Sequence, residues 1–221
     1  MRVFIPARHE KPVAIDLFAG LGGWASGFLV EGYRVIGFDI EAWLYPSQLV
    51  LQDVLTLDGA RFRDAAIIVA SPPCQAYSYR AMPWRRAKAL PPPDNSLFEA
   101  CFRIQREASE AAGHKIPLIV ENVKGAQPWV GRAKWHYGSY YLWGDVPALM
   151  PIIIRSPRGQ DFTRIAGRQA AEGIKLPGGD WSKDGAAQHG SNTTARKAAS
   201  AMIAKIPFPL AQHIARTYRH P

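Results

Sequence analysis

Short apolar runs, each closed by glycine, proline or a polar cluster, organise the first two thirds of the chain. Val13 to Phe18 is the first. It leads into Ala19-Gly20-Leu21-Gly22-Gly23 and then a helical stretch from about Trp24 to Glu31, ended by Gly32. Tyr33 to Phe38 is a second strand-like run, closing at Asp39, and Leu49 to Gln52 is a short third, closing at Asp53. Ala66 to Ala70 is continuous and apolar, as a strand buried on both faces should be, and it stops at Ser71-Pro72-Pro73-Cys74. Tyr77 to Asn95 reads as a basic loop. Ser96 to Ala112 reads as a helix with Leu97, Ala100, Cys101 and Ile104 on its apolar face. Pro117 to Val120 predicts a buried strand ending at Glu121-Asn122, and Tyr140 to Trp143 a further one. Strand, glycine-rich turn, helix, strand is the opening of a parallel α/β sheet.

From Ser156 to Lys197 the character changes to Gly, Ser, Asp and basic residues without long apolar runs. The expected organisation is a catalytic unit over 12–155 and 198–221, with a small irregular basic lobe, 156–197, inserted before a last helix that reaches Tyr218.

Composition narrows the partners. Of 221 residues, Lys and Arg number 27 against 18 Asp and Glu. The surplus suits a polyanion such as nucleic acid, or a protein that is merely basic. The two cysteines, Cys74 and Cys101, make no disulfide framework, and no Cys/His spacing matches a zinc site. Met1 to Lys11 has no apolar signal core, and no run reaches membrane-spanning length. The reading is of a cytoplasmic monomer without a metal.

Candidate chemistry falls at the strand ends, where open parallel sheets bind ligands. The loop Asp16 to Gly23 allows close backbone approach beside a helix N-terminus, either as a ligand loop or as a tight turn. Asp39 suits ribose hydroxyls and Asp53 an adenine amino group; taken singly, each fits a helix N-cap or a solvated surface acid better. Cys74 rides on a stiff Pro-Pro loop, and ionised cysteine is the strongest common nucleophile. Glu121 leaves an apolar strand for the same cleft, where a carboxyl group can exchange protons with a substrate.

Three of these segments, in this order, resemble motifs of the cytosine-C5 DNA methyltransferases: Asp16-Leu17-Phe18-Ala19-Gly20-Leu21-Gly22-Gly23, Pro72-Pro73-Cys74-Gln75-Ala76-Tyr77-Ser78 and Glu121-Asn122-Val123. Asp39-Ile40, Asp53-Val54, Asn95-Ser96-Leu97-Phe98 and Ala204-Lys205-Ile206-Pro207-Phe208-Pro209-Leu210 extend the likeness. The chain is similar to short members found in phage and prophage genomes. The resemblance implies a Rossmann-like sheet dependent on S-adenosylmethionine. Asp16, Phe18, Ala19, Gly20, Gly22, Gly23, Asp39, Ile40, Asp53, Val54, Pro72 and Leu97 would hold this cofactor. It implies Cys74 as the nucleophile toward C6 of a flipped cytosine and Glu121 as the group that binds or protonates the ring. Double-stranded DNA would meet Gln75, Ser78, Arg80, Arg85, Arg86, Asn122, Arg132 and Lys134, the Tyr77 to Asn95 loop closing as a lid. RNA cytosine methylation, a silent DNA-binding relative, and transfer of a different group are the rivals. The chain departs from the family where Gly-Asn is usual and Ala204-Lys205 stands, and where a Gln/Arg-rich motif is replaced around Trp135-His136-Tyr137.

Overall fold

The computed structural model describes residues 11–81, 85–151 and 204–219. Seven strands form one sheet in the order β3-β2-β1-β4-β5-β7-β6. They are β1 (Val13–Leu17), β2 (Arg34–Asp39), β3 (Gln48–Leu51), β4 (Ala65–Ala70), β5 (Leu118–Asn122), β6 (Trp135–Tyr137) and β7 (Tyr140–Gly144). The first five run parallel, and β7 runs antiparallel to both its neighbours. The sheet is therefore mixed: its parallel part was expected, the β6–β7 hairpin at one edge was not. The whole is an α/β, Rossmann-like fold.

Alternation along the strands sends side chains to two cores. On one face Ile15, Leu17, Ile68, Ala70, Leu118 and Val120 pack under helix α4 (Ser96–Ala112). On the other, Ala14, Val35, Ile67, Val69 and Ile119 pack under helix α1 (Gly23–Val30) and helix α6 (Phe208–Tyr218). Each large apolar side chain buried this way contributes roughly 1.5–3 kcal/mol. Helix α4 has the expected bounds, but its inner face is Phe98, Ala100, Cys101, Ile104 and Ala108, with Leu97 only half-buried. Gly32, at φ +82°, ends the first helix as anticipated.

Helices α1 and α6 touch backbone to backbone: a Cβ on Gly27 would lie 2.4 Å from the Gln212 nitrogen. The contact is clasped by Glu31, which accepts from Arg216 Nε and Gln212 Nε2, each at 2.8 Å. These partners hold its carboxyl below the usual carboxylate range against the opposing effect of desolvation. No helix among the described residues is long and apolar enough to cross a membrane. The lobe expected over 156–197 lies outside the described residues.

Candidate active site

Two close approaches build the glycine-rich loop. A Cβ at Gly22 would meet the Pro46 ring at 2.3 Å, and one at Gly23 would meet the Ile206 nitrogen at 2.4 Å. Gly20 differs: its φ is +48°, and a Cβ there would find only Phe18 O, at 3.9 Å. Packing demands the last two glycines, whereas Gly20 faces open space. Phe18 also takes a left-handed φ, 60°, which a bulky residue adopts only when its surroundings require it.

Two carboxylates fix this loop. Asp39 Oδ2 accepts from the Gly20 N–H at 2.9 Å and Oδ1 from the Glu41 N–H at 3.0 Å, so the end of β2 is tied to the turn after β1. Asp16 is buried beneath it. Its Oδ2 accepts from the Tyr45 hydroxyl at 3.0 Å. The Ala25 N–H also draws on this carboxyl group, but Oδ1 has no partner at hydrogen-bond geometry. Burial, reinforced by Asp39 and opposed by Tyr45, raises the Asp16 pKa well above the carboxylate range. The Tyr45 hydroxyl is in turn pushed far up by burial and the neighbouring acid. A buried acceptor with a vacant lone pair, under a loop with an open glycine, fits a ligand that carries a cationic amino group.

The remaining cofactor candidates line the same end of the sheet. Ile40 is 71% exposed just after β2. Asp53 caps a 3₁₀ turn, Oδ1 accepting from the Leu55 N–H at 2.9 Å, and Val54 is buried. The capping alternative for Asp53 is thus realised. Ala19 and Pro72 are buried and Leu97 is half-buried.

Cys74 is half-buried and stands at the N-cap of α2 (Gln75–Arg80). The loop that carries it is anchored at three points. Ser71 N–H continues the β1–β4 pairing to Leu17 O, Trp24 Nε1 donates to Ser71 Oγ at 3.0 Å, and Asn122 Nδ2 donates to Pro72 O at 2.9 Å. The buried Tyr77 donates to Asn95 Oδ1 at 2.9 Å, and Asn95 Nδ2 donates to Trp129 O at 3.2 Å. Glu121 and Asn122 lie within β5 rather than beyond it, and both are buried. Since β4 and β5 pair through Ala70↔Val120, Glu121 follows directly beside the start of the Cys74 loop.

The basic loop needs correction. Residues 75–80 and 85–88 are short helices, α2 and α3 (Arg85–Lys88). Arg80 is spent internally, Nε on Pro91 O and Nη1 on Ala76 O, both at 2.8 Å, while Lys88 donates to Arg80 O. These bonds hold its guanidinium against its own turn of helix and the Pro91 segment. Gln75, Arg85, Arg86, Arg132 and Lys134 are exposed, and Ser78 is half-buried. Trp84 lies outside the described residues.

Sequence reading missed Tyr45, Trp24 and Tyr140. Tyr140 is buried, donates to Lys205 O at 3.0 Å, and has its pKa raised by burial and by Glu121. The signals were aromatics in a loop, a helix and a strand respectively, which without coordinates read as core.

The family model for C-5 cytosine-specific DNA methylases matches residues 13–128, just over half the chain. The chain belongs to the C-5 cytosine-specific DNA methylase family. S-adenosylmethionine is the cofactor of this family. The Type II methyltransferase M.DdeI of Desulfomicrobium norvegicum is 35% identical over 125 residues, covering 50% of this chain and 28% of the relative. The chain thus spans well under half of that relative's length. Among solved structures, the S. pombe Dnmt2 methyltransferase is 16% identical with a TM-score of 0.37, covering 53% of this chain and 36% of that one. The Entamoeba histolytica methyltransferase EhMeth is 18% identical with a TM-score of 0.41, covering 55% and 41%. The matched span of the methylase family contains the glycine-rich loop, Cys74 and Glu121 together.

Proposed function

We propose that this chain transfers a methyl group to C5 of cytosine in double-stranded DNA, acting as a monomer with S-adenosylmethionine. The observation that carries the reading is the junction of β4 and β5. Asn122 joins the strand holding Glu121 to the loop holding Cys74, at the same end of the sheet as the open side of Gly20.

Asp16, Phe18, Ala19, Gly20, Gly22, Gly23, Asp39, Ile40, Asp53, Val54, Pro72 and Leu97 would hold the cofactor. The vacant Asp16 Oδ1 would take its amino group. When bound, the cofactor supplies the methyl group that C5 receives. Cytosine C6 is inaccessible in the stack, so the base must leave the duplex first. Cys74 sulfur then adds to C6, and the ring electrons move toward C5. Glu121 hydrogen-bonds or protonates N3 and the exocyclic amine, which spreads the developing charge. Water takes the C5 proton, the electrons of that C–H bond re-form the C5–C6 double bond as the thiolate of Cys74 leaves, and N3 returns any proton it took to Glu121. Gln75, Ser78 and Asn122 would line the base pocket, and Arg80, Arg85, Arg86, Arg132 and Lys134 would meet phosphates. Residues 156–197 would form the target-recognition lobe.

Bisulfite sequencing of DNA from a methylation-free host expressing the chain tests this reading. 5-Methylcytosine at a defined set of sites is expected. Unmodified DNA, with tritium from labelled cofactor entering transfer RNA instead, would overturn the choice of DNA. No transfer to either would overturn the activity.

A further inference from the structure

The sheet ends beside the candidate site in the β6–β7 hairpin, and this edge carries a column of rings. The His136 ring lies nearly parallel to Tyr141, centroids 5.0 Å apart and planes 17° apart. The Trp135 ring, from the preceding residue, lies beside it, with centroids 6.4 Å and planes 27° apart. A contact from His136 Nδ1 to Gly138 O, 3.1 Å, fixes the middle ring. Trp135 is 42% exposed and His136 is exposed. Tyr141 packs in part against the core beneath it, whereas Trp135 and His136 leave their rings open to solvent at the edge of the sheet.

Position and charge suggest the ligand. His136 pairs with Tyr141 and Tyr141 with Asn122, so the column stands two strand spacings, roughly 10 Å, from Asn122. Because β7 runs antiparallel to β5, its first residues and the Gly138-Ser139 turn lie at the end where β5 finishes. That is the rim shared by Cys74 and Glu121. Arg132 and Lys134, both exposed, flank the rings, and the Lys134 N–H is held by Leu142 O at 2.8 Å. Aromatic faces interleaved with cations are the chemistry of single-stranded nucleic acid binding. A paired base has both faces covered by its neighbours, so only an unstacked nucleotide can extend the column. At 3.4 Å or more per nucleotide, roughly 10 Å is the reach of the first few neighbours of the target.

We propose that Trp135, His136 and Tyr141 form a stacking platform for an unpaired DNA base beside the target cytosine, with Arg132 and Lys134 on its phosphates. The protein therefore binds DNA more tightly where the strand next to the target is unpaired. This rests on the cytosine-methylating reading of the cleft.

Fluorescence anisotropy on the full chain tests it. The probes are one labelled cytosine-rich oligodeoxynucleotide as a full duplex, as a duplex with a short single-stranded gap, and as a single strand. The unmodified protein should prefer the gapped and single-stranded probes. Trp135→Ala should weaken these about five- to a hundredfold, the range for one lost base–aromatic stack, and move the duplex less than twofold. Trp135→Phe should restore most of the loss. Lys134→Gln should weaken all probes alike and flatten their salt dependence. His136→Ala serves as a second exposed variant should Trp135→Ala melt early. Unchanged affinities in both variants, or equal losses on all probes, would overturn the platform. Methyl transfer by the unmodified protein is read separately: its absence alongside an intact gap preference would count against the cytosine reading and not the platform.

Discussion

The side-chain amide of Asn122 donates to the carbonyl oxygen of Pro72 across 2.9 Å, and the bond is buried. It is a direct link between the strand of the carboxyl group and the loop of the thiol. Asn122→Ala would leave the Pro72 carbonyl without its partner, at a cost of about 1–3 kcal/mol. Thermal melting should fall accordingly. Methyl transfer should fall further than stability accounts for, by at least about tenfold at a temperature where the variant is fully folded. A variant that melts early yet transfers at the full rate would show that the bond supports only the fold.

Cys74→Ala should abolish methylation while leaving affinity for duplex DNA within a fewfold of the original. Glu121→Gln should keep the nucleophile and lower the single-turnover rate by orders of magnitude. Both are read by tritium transfer from labelled cofactor, with binding measured in parallel. Product formed by Cys74→Ala at the original rate would remove the covalent mechanism.

Gly20 and Gly23 should respond oppositely to alanine. At Gly20 the added methyl group meets open space and costs only the left-handed backbone, about 1–2 kcal/mol, but it intrudes on the expected cofactor. At Gly23 it collides with the backbone of Ile206. Gly20→Ala should therefore fold and lose cofactor affinity in calorimetry, at least about tenfold. Gly23→Ala should chiefly lower the melting temperature. Equal cofactor affinity in Gly20→Ala would move the cofactor elsewhere.

Asp16 carries a pH signature. Its folded pKa lies well above the unfolded value because of burial, with Asp39 adding to the shift. The folded state then keeps a proton that the unfolded chain releases. Its stabilising contribution is complete below the unfolded carboxylate pKa, near about 3.9, and is lost as pH rises through the folded value. Asp16→Asn mimics the protonated form. Its melting temperature relative to the unmodified protein should climb between pH 4 and pH 7, without cofactor. A difference that stays constant across this range would contradict the assignment. Calorimetry should show that the same variant binds S-adenosylmethionine more weakly.

The parallel strands were legible because each is a short apolar run closed by a polar residue, which marks the ligand end of the sheet, though not the order of its strands. The extent of β5 was not, since Glu121 and Asn122 look like loop residues until they are seen paired with Leu142 and Tyr141. Strand β6 escapes a sequence reading because its three residues, Trp135, His136 and Tyr137, are too few to establish an alternation. The segment after Cys74 was read as an open basic lid because four cations and several prolines crowd it. Arg80 instead closes its own turn of helix. Tyr45 was invisible for a different reason: its value lies in a hydroxyl bond to Asp16, twenty-nine positions away, and such pairing leaves no local trace.

The described chain leaves the sheet near Met150 and returns at Ile206, and both side chains belong to the same apolar cluster. His213 on the returning helix accepts or donates at Leu149 O, 2.9 Å away, and Tyr218 reaches the Asp145 carbonyl. Exit and re-entry are thus stitched together by contacts among the described residues. The scaffold has a built-in splice point, where one intervening stretch could be exchanged for another of different length while the chemistry underneath stays in register.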